Sequence, residues 1–222
     1  MSRISSSIKK LLCGLILAGS SLAHAGSYED FFRAVRQDNH AKIQDLLSRG
    51  FDPNTPDEKG QNGLAIALRE ESLETARILI ESAQTNVNKL NAADESPLML
   101  AALKGHLDLA EMLVKKGADI NKTGWTPLHY AASGGHLRVI GLLLENSAYI
   151  DAASPNGSTP LMMAAMYGTP AAVNLLLQEG ADAKLKNEQG LTALQFAQRA
   201  NRLDSADAIA AFLRSKLPSG QW

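Results

Sequence analysis

Thiol chemistry is almost missing from this chain. Its 222 residues hold one cysteine, Cys13. One cysteine closes no disulfide within the chain and builds no thiolate metal cluster. Histidine is nearly as scarce, with five, and no His-x-x-x-His or Glu-His pair has metal-ligand spacing. Excess positive charge is also missing. Of the 22 Lys+Arg, Arg3, Lys9 and Lys10 lie in the first 25 residues with no acid beside them, leaving 19 against 23 Asp+Glu, or −4, in the remainder. A nucleic-acid partner would want a basic stripe instead. No serine stands in a nucleophile elbow and no glycine loop is built to cradle phosphate. The acids come as neighbours (Asp57–Glu58, Glu70–Glu71, Asp94–Glu95), which point apart on a helix and form no acid/base pair by spacing. An enzyme would have no residue to rest on, and the sequence calls for no cofactor and no metal.

Long apolar runs are lacking too. The best one, Leu11–Leu17 with its Ala/Gly/Ser continuation, is too short for a membrane span. Behind a basic start and ahead of Ala23-His24-Ala25, it reads as a secretory signal peptide cut after Ala25. Cys13 sits on the basic flank of that run, badly placed to carry a lipid. The expected destination is the periplasm, or alternatively the outside of the cell, with no membrane attachment after cleavage.

What the chain does have is a period. The stretch Thr126–His136 reads Thr-Pro-Leu-His-Tyr-Ala-Ala-Ser-Gly-Gly-His. Equivalents open at Ser96 (Ser-Pro-Leu-Met-Leu-Ala-Ala), Thr159 (Thr-Pro-Leu-Met-Met-Ala-Ala), Thr192 (Thr-Ala-Leu-Gln-Phe-Ala) and Asn62, and counting back from Gly50 places one at Glu29. The successive steps are 33, 34, 30, 33 and 33 residues. Ser, Thr or Asn at the marker suits a helix N-cap, and Pro97, Pro127 and Pro160 suit the first helical turn. Gly105, Gly135 and Gly168 are expected to end that helix in a left-handed conformation, with Asp38 and Asn201 in their place at the ends and Glu71 as the departure. A second helix follows each with a dense apolar stripe, such as Leu137, Val139, Ile140, Leu142, Leu143 and Leu144, which implies burial on more than one side. Lys42 and Asp45 in the first unit and Ser205 in the last break the stripe, as polar end caps would. Gly60, Asp94, Gly124, Gly157 and Gly190, two before each marker, fit turn positions with positive φ.

This period with its Thr-Pro-Leu-His-x-Ala core resembles the ankyrin repeat. The resemblance covers residues 28–214 and implies an all-α repeat solenoid. It would have about six helix-turn-helix units, starting near 29, 62, 96, 126, 159 and 192, with hairpin-like fingers between them and polar caps at the ends. Residues 1–25 would be the cleaved signal, 26–214 one domain and 215–222 a flexible tail. The finger before Thr126, Gly117–Trp125, is three residues short.

The resemblance also implies a binding module, a monomer whose partner is another protein, met by finger tips and the exposed side of the first helices. The register assigns to that surface the residue before each marker and the pair seven and eight after it. These positions yield Arg69, Leu103, Lys104, Trp125, Met166, Tyr167 and Leu191 as the candidate protein-binding residues. Trp125, Met166 and Tyr167 would anchor the partner, Arg69 and Lys104 would form the rim, and Ser133 and Gly134 would leave room for an inserted side chain. His106, His129 and His136 are expected to bond neighbouring loops, and His40 to be exposed. Small exported bacterial proteins of this kind are similar in size and plan. The resemblance permits support of a periplasmic enzyme such as catalase in peroxide defence, or an immunity role that neutralises a toxin enzyme. A small-molecule or haem carrier would have to use His129 and Met163.

Overall fold

The computed structural model describes residues 26–216. The signal segment 1–25 and residues 217–222 of the expected tail lie outside it. Twelve helices make up the described chain, with one isolated antiparallel bridge, Pro56 to Asn62, and no strand among the described residues. The chain divides into two compact units, one running to Thr85 and one beginning at Asn86.

The first unit holds α1 (26–36), α2 (His40–Ser48), α3 (Gly63–Glu70) and α4 (Leu73–Glu81). Phe31, Phe32, Ala34 and Val35 bury the inner face of α1, and the Phe31 ring stacks on Phe51 at 4.5 Å. The helix already runs through Glu29, so the first marker is an interior residue and caps nothing. The expected caps are in place on α2, where Lys42 pairs with Asp30 at 3.3 Å and with Asp45 at 3.8 Å. Asn62 caps α3 by accepting the Ala65 N–H at 2.8 Å. The residue after Asn62 is Gly63 rather than proline, and a Cβ there would stand 2.6 Å from the Phe31 ring. Glu71 takes the left-handed conformation, at φ 61°, without being glycine. Asp38 does so at φ 50°, and its carboxylate accepts the Thr75 N–H at 2.8 Å, capping α4.

The second unit contains α5 (Pro97–Lys104), α6 (Leu107–Lys115), α7 (Pro127–Gly134), α8 (Leu137–Glu145), α9 (Pro160–Met166), α10 (Pro170–Gln178), α11 (Ala193–Arg199) and α12 (Leu203–Ser215). The first helices pack in the row α5–α7–α9–α11, with α6, α8, α10 and α12 behind them. Each first helix starts as its marker predicts, because Ser96, Thr126, Thr159 and Thr192 all accept the N–H three residues on. The row packs closely because Ala101, Ala102, Ala131, Ala132, Ala164 and Ala165 are wholly buried. All five finger turns have the expected positive φ, Asp94 included at 62°.

Two expectations need correction, at Gly168 and Ser205, and one is met. Gly168 is not left-handed; α9 stops one residue earlier than α5 and α7, and residue 168 must be glycine for space, since a Cβ would lie 2.3 Å from the Ala132 carbonyl oxygen. The second helices are buried on more than one side, as expected, α8 packing against α6, α7 and α10. Val139, Ile140 and Leu143 face inward, but Leu137 is 41% exposed, because the side of α8 away from α7 meets no neighbour. Ser205 is no solvent-facing cap: it turns inward with Ala206 and Ile209, and its buried hydroxyl has no hydrogen-bond partner among the described residues.

An amide ladder ties the fingers together. Asn88 accepts the Asp119 N–H at 2.8 Å and donates to the Gly117 carbonyl, and Asn121 does the same for Tyr149 and Ser147. The next rung is Asp151, which accepts the Asp182 N–H at 3.1 Å but has no N–H to give the matching carbonyl of Gly180. Burial is the first cause that raises the Asp151 carboxyl above its ordinary value. A carboxyl whose pKa is raised by folding stabilises below its unfolded value and loses that contribution as pH rises through the folded one. Asp151 is therefore a liability at neutral pH. Asp151→Asn should gain about 1 kcal/mol there by restoring the donor, with less gain at pH 4. Urea titrations of both proteins at the two pH values measure this, and equal midpoints at pH 7 would show the rung to be immaterial.

Candidate interaction surface

Local chemistry builds the surface of the second unit around Thr126. Its hydroxyl lies 2.9 Å from His129 Nδ1, and its N–H donates to the same nitrogen at 3.1 Å. Nδ1 is therefore the acceptor, and Nε2 donates to the Ser158 carbonyl at 2.9 Å. Burial pulls the imidazole pKa down to about 4, against the smaller opposing effects of the Ser158 and Ala152 carbonyls, so the ring is neutral at pH 7. Trp125 meets this ring edge-on at 5.2 Å and is half-buried. One turn along α7, the Ser133 hydroxyl donates to the His129 carbonyl at 2.8 Å. Tyr130 donates its hydroxyl to Glu95 at 3.2 Å. Burial, and then the Glu95 charge, push that phenol up to about 12, so it keeps its proton.

The short finger explains why Trp125 is reachable. In the full fingers 91–95, 154–158 and 187–191, the first residue's N–H bonds the fifth residue's carbonyl. Asn91, Ser154 and Asn187 also accept the fifth residue's N–H through their side chains. The finger before Thr126 has no such closure among the described residues. Instead Lys122 reaches across to the Asp94 carboxylate, and Gly124 sits beside the Pro155 ring. Trp125 is left on the wall of a notch of about 200 Å³, with Leu103, His129, Tyr130, Ser133 and Met163.

A second notch of about 120 Å³ lies farther along, lined by Met166, Gln189, Leu191, Phe196 and Arg199. Of the candidate residues, Leu103 and Trp125 thus share one notch, and Met166 and Leu191 share the other. Leu191 differs from expectation, being only 8% exposed, because it forms a floor rather than a knob. Tyr167, 57% exposed, and Lys104, also exposed, line neither notch. Arg69 is exposed at the end of α3 in the first unit. That unit has its own cleft between α1 and the first finger, lined by Tyr28, Phe32, Arg36 and Asp57 among others. There Arg36 already pairs with Asp57 at 3.5 Å and Glu70 at 3.8 Å.

Gly134 leaves no room for a partner, contrary to expectation. The space a Cβ would take is filled by the His136 ring, at 2.3 Å, whose Nε2 bonds the Leu103 carbonyl at 2.9 Å. A carrier role finds poor support, since both His129 nitrogens are already engaged and neither has a lone pair to offer a metal without breaking a buried bond. His106 makes no bond from its buried Nε2 among the described residues, against the loop-bonding role expected of it. No group of three His, Cys, Asp or Glu is placed to hold a metal, and no helix is long and apolar enough to cross a membrane, among the described residues.

Residue-level reasoning missed Tyr130, Met163 and Phe196 as lining residues, and it put Arg199, seven after Thr192, on the surface without selecting it. A signal for the first three was present: all stand four after a marker. Positions four and seven after the marker are three apart and share a helix face, whereas position eight falls at the helix end and lines neither notch.

A family model described as ankyrin repeats in three copies matches residues 31–123, 83–154 and 149–215. Ankyrin repeat and SAM domain-containing protein 6 of Mus musculus is 36% identical over 109 residues, which cover 47% of this chain and 12% of that protein. Its Rattus norvegicus counterpart is 34% identical over 132 residues, covering 57% and 15%. The chain therefore spans a small part of those relatives' length. A chain from the solved complex of a predatory endopeptidase from Bdellovibrio bacteriovorus with its immunity protein is 32% identical, with a TM-score of 0.70, covering 82% of this chain and 97% of that one. An ankyrin repeat domain from Acinetobacter baumannii AYE is 28% identical at the same TM-score, covering 82% and 96%.

Proposed function

This chain belongs to the ankyrin-repeat family, and on that premise we propose that it is an exported protein-binding scaffold that holds an enzyme and blocks it by direct contact. The observation that carries the reading is the pair of apolar notches on the first helices of the second unit, with an aromatic wall half-open at Trp125. Aromatic side chains in such pockets are the usual anchors of protein interfaces. Direct blockade is preferred to support of a catalase because a solved relative, matched over 97% of its length, sits in a peptidase–immunity protein complex. Export to the periplasm follows from the basic start, the short apolar run and Ala23-His24-Ala25. It is tested by mass spectrometry of the exported protein, which should begin at Gly26.

The functional test uses the 26–222 chain to retain proteins from the exported fraction of the source cells, and then assays each retained protein for an enzyme activity with and without the chain. An enzyme that is retained and inhibited supports the reading; a catalase that is retained and protected supports the other enzyme-directed role. Trp125→Ala should weaken the retained partner by about 2 kcal/mol or more, roughly 30-fold, with little change in the melting curve. Equal affinity with a lowered melting point would mean that Trp125 serves its own finger alone.

A further inference from the structure

The two notches of the second unit are built from the same columns of the repeat. Trp125 and Leu191 precede their markers, Tyr130 and Phe196 come four after, and Leu103 and Met166 come seven after the preceding marker. The unit between them puts Ser158, which is buried, in the column of Trp125. The wall of the first notch carries no charged side chain. The second carries one, the exposed Arg199, and no ion pair to it occurs among the described residues.

The spacing between the notches follows from the helices. One belongs to the unit of α7 and the other to that of α11, with α9 between them. Helices packed at 8–10 Å place Trp125 and Phe196 about 16–20 Å apart, with Met163 and Met166 of α9 lining one notch each between them. An extended chain rising about 3.3 Å per residue covers that in five or six residues. A helical segment would need eleven or more.

From these columns we infer that the second unit binds one extended segment of a partner protein. One apolar side chain sits against Trp125, a second sits five or six residues away against Phe196, and a carboxylate beside the second pairs with Arg199. The inference rests on the protein-binding reading and specifies the chemistry of what is bound. It commits to an acidic-apolar strand because the apolar walls exclude a buried charge on the partner, and the one cation at their edge selects its sign.

The probe is a phage library of random 16-residue segments, selected on the 26–222 chain, with enriched segments then synthesised and titrated by fluorescence anisotropy. The expected segments share two large apolar residues five or six apart, with Asp or Glu next to one of them. Arg199→Glu should weaken them at least tenfold, and replacing the segment's acid by Lys should recover binding to that variant. Trp125→Ala should weaken them similarly, with unchanged circular dichroism for both variants. An empty selection, segments without an acid, apolar residues eleven or more apart, or affinity unmoved by Arg199→Glu would each overturn the inference. The two readings fail separately. An enzyme retained equally by wild type and Arg199→Glu leaves the scaffold standing and removes the segment. Selected segments that behave as described, with no enzyme retained from the exported fraction, do the reverse.

Discussion

Gly168→Ala is expected to cost about 3 kcal/mol of stability, at the upper end of what one added methyl does in a packed interior. The added Cβ would lie 2.3 Å from the Ala132 carbonyl oxygen, 2.9 Å from that of Ala164 and 3.0 Å from the Ala164 Cα. All three are backbone atoms, so no side chain can swing aside. Either α7 and α9 separate or the end of α9 unwinds, and both expose the alanine seam. The Gly168 carbonyl also receives the Arg202 guanidinium from the start of α12, so the displacement would loosen the closing helix pair as well. Gly141→Ala is the matched control. It lies within α8, nothing stands within 4 Å of its would-be Cβ, and alanine there should gain about 0.5–1 kcal/mol from helix propensity alone. Urea unfolding followed by circular dichroism separates the pair. A loss below about 1 kcal/mol for Gly168→Ala would mean that the helices are not held as closely as described.

Gly168 also marks where sequence reasoning stops. Glycine at that place in the period read as a left-handed helix end, and at Gly105 and Gly135 it is one, at φ 74° and 70°. What decides Gly168 instead is a neighbour 36 residues earlier in the chain, and no local pattern contains that. The same division runs through the rest of the fold. Caps at Asn62, Ser96, Thr126, Thr159 and Thr192 were legible because a cap is a contract between residues three apart. The finger turns were legible because positive φ selects its residue on the spot. Ser205 and Leu191 were not, since their burial depends on which way α12 and the last finger lie. At the surface, counting from the marker found Leu103, Trp125 and Met166. It overlooked the column four residues on because only the residue before each marker and the pair seven and eight after it were assigned to the surface. Gly134 misled for a related reason: an absent side chain signals space, but the His136 ring had taken it.

His129 couples the same surface to pH. Its pKa in the folded chain, about 4, lies below its ordinary 6.5. A histidine lowered by folding contributes stability that is complete above about pH 6.5 and drains as pH falls toward 4, because the unfolded chain takes the proton first. Between pH 7.5 and 4.5 that amounts to about 2.5 kcal/mol. The residue for comparison stands in the chain already. Gln195 occupies the matching position in the last unit, and its side-chain oxygen accepts the Thr192 N–H at 2.8 Å. His129→Gln should keep that cap and lose the titration. It is expected to be about 1 kcal/mol less stable than wild type at pH 7.5, for imperfect packing, and more stable than wild type at pH 4.5, so the two stability curves cross. His129→Leu has no such compensation. It orphans the Thr126 N–H and leaves the Ser158 carbonyl with the Ser154 N–H alone, and should cost about 2 kcal/mol at pH 7.5. Urea titrations of the three proteins across this pH range supply the test. Parallel curves for wild type and His129→Gln would show that the imidazole is not excluded from water. A crossing would show that the wall beneath Trp125 is dry and uncharged at neutral pH, which an apolar partner side chain seated there requires.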